Sequence, residues 1–218
     1  MAKQFDLVVF DWDGTLMDSA AAIVRAIQNA SRDLGVPPPT DEQARHVIGL
    51  GLQDALRMAL PDLDAARYEE MALRYRHHYL SHDHELTLFD GAFEMVEMLA
   101  GAGYMLGVAT GKSRKGLDRA LQGSGLQTYF HATRCADECH SKPHPQMLLE
   151  LMDEFAVLPE RTLMIGDTTH DLLMAKNAGV SALAVAYGAH PREVLATEPA
   201  LNCVEDVAGL RDWLERHA

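Results

Sequence analysis

Asp11 and Asp13 stand one residue apart where an apolar run, residues 5–10, meets the turn Asp11-Trp12-Asp13-Gly14-Thr15-Leu16. Alternation along an extended segment points both carboxylates the same way and Trp12 the other. Two acids on one edge suit a divalent cation and a division of labour. One ligates metal and attacks, while the other, protonated more easily beside a like charge, donates a proton. Gly14 lets the chain turn away sharply. Read alone, the same residues are equally an Asp-rich turn, so the assignment depends on partners elsewhere in the chain.

Those partners need elements to position them. Hydrophobic periodicity predicts consecutive helices over 20–34, 41–60, broken near Gly49-Leu50-Gly51, and 64–82. From Gly91 the texture changes to helices alternating with short apolar strands, at 92–100, 104–109, 113–121, 131–134, 145–155, 162–165, 171–178, 182–186 and 207–216. This predicts an α/β fold: a Rossmann-like, three-layer core with a parallel sheet, built from residues 1–16 and 91–218, with residues 17–90 inserted as an all-helical domain.

Chemistry in an open parallel sheet collects beyond the carboxyl ends of the strands. The second strand is followed by Thr110-Gly111, a hydroxyl and a flexible amide at a helix start, which is a plausible phosphate cradle. Lys142 precedes Pro143, and Pro145 opens a helix, so the lysine sits on a constrained stretch. A later strand runs into Gly166-Asp167-Thr168-Thr169-His170-Asp171, with two carboxylates four residues apart at a helix N-terminus. Singly, Thr110 and Asp167 also read as helix caps and Lys142 as a surface charge.

In this order the residues resemble the haloacid dehalogenase superfamily, whose four motifs match Asp11-Trp12-Asp13-Gly14-Thr15, Thr110, Lys142-Pro143 and Gly166-Asp167-x-x-x-Asp171. The resemblance covers nearly the whole chain, is nearest to the phosphoglycolate phosphatase-like branch, and makes the helical insert a type 1 cap. It implies a Mg²⁺-dependent phosphatase acting on a small, phosphoglycolate-like phosphate monoester through an aspartyl-phosphate. Asp11 is then the nucleophile and Asp13 the general acid and base, with its backbone carbonyl on the metal. Thr110 and the Gly111 amide hold phosphoryl oxygens, and Lys142 neutralises them. Asp167 completes the metal shell of Asp11, Asp13 and Asp167, and Asp171 ligates indirectly or orients Lys142. Dehalogenases and phosphonate hydrolases of the superfamily lack an acid at the position of Asp13, which disfavours both. A phosphomutase of the β-phosphoglucomutase kind, and a non-catalytic aspartate phospho-acceptor, are the alternatives.

Two further substrate-binding candidates come from local pattern. Lys112, Arg114 and Lys115 crowd the start of the helix after Thr110, as either a solvated helix end or an anion-attracting rim. Arg45, in Arg45-His46-Val47-Ile48-Gly49-Leu50-Gly51, lies at a glycine break that either presents it down to the site or leaves it in solvent. His77, His78, His82 and His84 read as a solvated face.

Composition narrows the partners. A net charge of −13 without a basic stripe argues against nucleic acid and leaves a small phosphorylated metabolite as the partner of a monomer or homodimer. No run approaches membrane-spanning length and no signal-peptide core is visible, and Cys135, Cys139 and Cys203 form an odd set best read as reduced thiols, so a cytoplasmic location is expected. Cys135-x-x-x-Cys139-His140 lacks a fourth ligand for zinc. Gly107 and Gly111 enclose three residues where a nucleotide-binding P-loop needs four, and the glycines at 49 and 51 lack the third of a dinucleotide fingerprint.

Overall fold

The computed structural model describes residues 3–218; the first two residues of the expected core lie outside the described residues. Strand β1 (Leu7–Phe10) is buried along its whole length, as an unbroken Leu-Val-Val-Phe run requires of a strand covered on both faces. The chain then forms α1 (Ala20–Asp33), α2 (Asp41–His46), α3 (Leu52–Ala59) and α4 (Tyr68–Leu80) before α5 (Ala92–Gly101) returns it to the sheet. There follow β2 (Met105–Thr110), α6 (Arg114–Ser124), β3 (Ala132–Cys135), α7 (Gln146–Phe155), β4 (Thr162–Gly166), α8 (Thr169–Ala178), β5 (Ser181–Val185), α9 (Arg192–Leu195), β6 (Cys203–Val204) and α10 (Val207–His217). The four-residue α9 and two-residue β6 are additions to the sequence-based prediction; both are too short to show a period.

The sheet order is β3-β2-β1-β4-β5-β6 and every pairing is parallel. The chain adds strands on one side of β1 and then on the other, so the crevice at the end of β1 is the topological switch point where such sheets bind ligands. Register aligns Phe10 with Val108 and with Ile165. Asp11 therefore leaves β1 between the strand ends that carry Thr110 and Asp167.

One face of the sheet is covered by a cluster containing Phe10, Trp12, Met95 and Leu117, and the other by one containing Leu7, Leu148, Leu151 and Leu172. A third cluster, built on Ile23, Ile27, Leu56 and Met71, lies under α1 to α4. The helical segment thus has its own apolar interior. It is joined to the sheet layers by two adjacent crossings: Met17 bridges Leu88 in antiparallel fashion, the Asp18 amide donates to the Thr87 carbonyl and the Phe89 amide to the Leu16 carbonyl. Among the described residues no helix is long and apolar enough to cross a membrane.

Candidate active site

Beyond β1 the Asp11 amide still donates to the Ile165 carbonyl, at 2.9 Å, which fixes the residue to the central strand pair. Strand geometry ends there. The chain bends at Trp12, and Asp13 enters a turn that bridges Met17. The two acids engage different lysines. Lys142 Nζ lies 2.8 Å from Asp11 Oδ1 and 2.6 Å from Asp171 Oδ1, with all three side chains fully buried. Lys112 Nζ lies 2.9 and 3.0 Å from the two oxygens of Asp13, whose Oδ1 also accepts from the Ser19 hydroxyl at 2.7 Å.

Asp171 combines two duties. Its Oδ2 accepts from the Thr168 amide and hydroxyl at the start of α8, while Oδ1 takes Lys142. The capping and functional readings of this carboxylate are one arrangement, since a helix N-terminus favours an anion. Asp167 Oδ1 accepts from the Thr15 hydroxyl and Oδ2 from the Ala189 amide. Gly14 and Gly188 pack so close that a Cβ on either would collide with the Asp167 carboxylate. Glycine at these positions is a condition for the acid's approach to the end of β1.

Carboxylate oxygens of Asp11, Asp167 and Asp171 lie within 4.8 Å of one another. With only Lys142 among them, two negative charges stay uncompensated when all are ionised. Burial accordingly drives the Asp11 carboxyl well above the usual carboxylate range, against the opposing pull of Lys142 and with Asp171 and Asp167 adding to the rise. Asp167 is pushed up to about 7, first by burial and then by Asp171. Burial would depress the Lys142 ammonium, but Asp11 and Asp171 outweigh it and hold it above its ordinary range.

Both Asp11 oxygens are buried without an aligned hydrogen bond, the Lys142 contact being an ion pair of poor hydrogen-bond geometry. Carboxylate oxygens without an aligned donor, at the focus of an all-oxygen acidic cluster, fit a hard divalent cation. The Asp13 carboxylate is turned away from this group, to Lys112 and Ser19, and the three clustered carboxylates include Asp171. Any contribution of Asp13 to a metal would come from its main chain.

At two positions the structure bears on the alternatives the sequence left open. Lys112 is no part of a solvated helix end. Ser113 is the N-cap of α6, so Lys112 precedes the helix, and its ammonium reaches inward to Asp13 and to the Tyr79 hydroxyl at 2.9 Å. Burial would depress this ammonium too, but Asp13 and Tyr79 outweigh it and hold it above its ordinary range. Arg114, by contrast, spends its guanidinium on Glu138, Asp118 and Thr133. Arg45 is half-buried and does not line the cavity between the helical segment and the sheet layers. Its neighbour His46 makes the contact, through its main chain: the carbonyl lies 2.7 Å from His170 Nε2 and 3.2 Å from His190 Nε2.

The glycine break does reach the site. The Gly51 amide donates to Ser141 Oγ at 2.8 Å, and a Cβ on Gly49 (φ +91°) would lie 3.8 Å from Asp11 Oδ2. Gly111 lies so close under the Gly49 and Leu50 carbonyls that any Cβ would collide with them. Thr110 is fully buried and its hydroxyl accepts from the Lys112 amide at 3.2 Å. Ser19, Tyr79, Ser141 and His190 escaped the reading of the sequence. Only the Tyr75/Tyr79 pair, four residues apart on one helix face, carried a usable signal.

Comparison with known proteins agrees with this geometry. A profile of the haloacid dehalogenase-like hydrolases matches residues 8–185. "Probable phosphatase IndB" of Dickeya dadantii is 40% identical over 200 residues, covering 88% of this chain and 86% of its own. Phosphoglycolate phosphatase of Aliivibrio fischeri is 32% identical over 197 residues, covering 86% and 87%. The crystal structure of a hydrolase from Pseudomonas syringae superimposes with a TM-score of 0.89 at 22% identity, covering 98% of both chains, a likeness of fold alone. On motifs, topology and these relatives together, the chain belongs to the haloacid dehalogenase-like hydrolases.

Proposed function

We propose that the chain is a Mg²⁺-dependent phosphatase that hydrolyses a phosphate monoester of a small metabolite through an aspartyl-phosphate, with residues 17–90 acting as a cap over the site. The observation that carries this reading is Asp11: a buried carboxylate with bare oxygens at the sheet's switch point, flanked by one lysine and two further acids. The phosphatases among the relatives support the reaction class.

Asp11, Asp167 and the Asp13 main chain would hold the cation, with Asp171 behind them. Bound there, it supplies charge neutralisation for an anionic phosphoryl group facing an anionic nucleophile. An Asp11 oxygen attacks phosphorus and the bond from phosphorus to the leaving oxygen breaks. Asp13 gives its proton to that oxygen, so an alcohol departs. Asp13 then takes a proton from water as the water oxygen attacks the aspartyl-phosphate. Inorganic phosphate leaves and Asp11 is regenerated. Lys142 neutralises phosphoryl oxygens from a buried, fixed position, Thr110 and the Gly111 amide hold them, and Asp171 keeps Lys142 in place. Lys112 and Ser19 orient Asp13.

The test is phosphate release from an aryl phosphate with Mg²⁺, with and without excess chelator, for the wild type and Asp11→Asn. Release that stops in chelator and is lost in the variant is the expected result. Undiminished release in chelator would overturn the metal assignment, and a fully active Asp11→Asn the nucleophile. Stoichiometric free phosphate also separates hydrolysis from phosphoryl return by a mutase.

A further inference from the structure

Between the helical segment and the sheet layers lies a cavity of about 640 Å³ whose lining includes Asp13, Gly111 and Lys112. It opens directly on the groups assigned to the leaving oxygen. A volume of this order encloses a ligand of many heavy atoms; a two-carbon acid fills a small part of it.

The wall is as informative as the volume. The helical side contributes Ile23, Ile27, Ile48, Leu50, Tyr75 and Tyr79. The two tyrosine rings lie parallel to within 20°, centroids 5.8 Å apart, along one side. Cations are placed unfavourably for a charged leaving group. Arg76, Lys115 and Arg119 are exposed at the mouth, and Arg119 is paired with Asp83 at 3.0 Å. The one sheltered ammonium, that of Lys112, has a side chain 11% exposed and is already paired with Asp13. A carboxylate laid against the apolar wall would be desolvated there, since Arg76 and Lys115 are exposed and Lys112 is already paired, whereas an uncharged ring would exchange water for aliphatic and aromatic contact.

Resting on the phosphatase reading above, we propose that the leaving group is an uncharged alcohol built on an aromatic or alicyclic ring, lying against this wall while its phosphoryl end meets Asp11. The site then selects by apolar body size and discriminates against phosphorylated two-carbon acids.

The experiment compares phosphoglycolate, benzyl phosphate and naphthylmethyl phosphate with the full chain and Mg²⁺, all three releasing a primary alcohol. The kcat/KM for phosphate release is expected to rise about tenfold or more from phosphoglycolate to benzyl phosphate, and again to the naphthyl ester. Leu52→Trp, at a half-buried lining position, is expected to reduce the ratio of naphthylmethyl to phosphoglycolate turnover by about tenfold. In parallel, calorimetry measures binding of benzylphosphonate and phosphonoacetate, neither of which can be hydrolysed at phosphorus. Benzylphosphonate should bind at least about tenfold more tightly. Phosphoglycolate turned over as well as the arylmethyl esters, or phosphonoacetate bound as well as benzylphosphonate, overturns the leaving-group inference and leaves the phosphatase standing. No phosphate from any ester sinks the phosphatase reading, and the phosphonate pair then decides the binding preference by itself.

Discussion

The floor of the site and the helical segment above it are held by different forces. On the floor, Asp11, Lys142, Asp167 and Asp171 are buried charges positioned by one another and by side-chain hydroxyls. The helical segment has an apolar interior and meets the floor chiefly through main-chain groups, the His46 carbonyl and the Gly51 amide. Ser19 and Tyr79 are the exceptions, reaching Asp13 and Lys112 with their hydroxyls. Side-chain identity therefore governs the chemistry, while shape and backbone path govern what lies over it. Substitutions in the two regions should fail in different ways.

Lys142→Met is the most severe way to break the floor. Removing the one ammonium leaves Asp11 and Asp171 buried without a counter-charge, which costs about 3 kcal/mol or more. The expected outcome is loss of turnover together with a lower denaturation midpoint in urea, and retention of full stability would show that the acids relax without the lysine. Asp13→Asn should leave the fold intact and lower kcat about 10²-fold on alkyl esters, because the alcohol departs without its proton. The loss should shrink on esters with good leaving groups, and steady-state rates across a leaving-group series check this.

The floor should also respond to pH and metal together. The folded pKa of Asp167, about 7, lies above its unfolded value, so its contribution to stability is fully present below pH 3.8 and is lost as pH rises through about 7. Asp11 is shifted in the same direction. The metal-free chain should therefore lose thermal stability between pH 5 and pH 8, and Mg²⁺ held as proposed by the ionised acids should raise Tm more at pH 8 than at pH 5. Thermal scans at both pH values decide it, and an equal Tm gain at the two would detach the acidic cluster from the metal. Tyr79→Phe is the mildest test. It keeps the ring and removes one hydrogen bond to Lys112, so kcat on alkyl esters should fall about fivefold with KM little changed. A rise in KM alone would make Tyr79 a binding residue with no bearing on Asp13.

This division also explains what the sequence made legible. Asp11, Thr110, Lys142 and Asp167 sit at strand ends whose apolar runs are plain, and their residue types carry the chemistry. The floor could be read before any coordinates. The contacts made by the helical segment could not, because a carbonyl or an amide is common to almost every residue; Arg45 drew attention by its charge while the main chain of His46 made the contact. For Lys112 the sequence left a solvated position and an inward one open, and the structure shows its ammonium directed inward to Asp13 from just before the Ser113 cap. Asp171 was visible as a residue, but the turning of the Asp13 carboxylate toward Lys112 followed from the bend at Trp12.

The paired crossings at Met17 and Leu88 make the helical segment a closed excursion: it leaves and re-enters the sheet layers at neighbouring points. An insertion with adjacent ends is a cassette. It can be lengthened, replaced or recombined without changing the spacing of the strands on either side, because the distance its ends must span stays the same. Ser19, which holds Asp13, lies just beyond the first crossing. A transplanted cassette that begins after Ser19 therefore brings a new ceiling to an unchanged reaction, whereas one that begins before it also changes the group that steadies the acid.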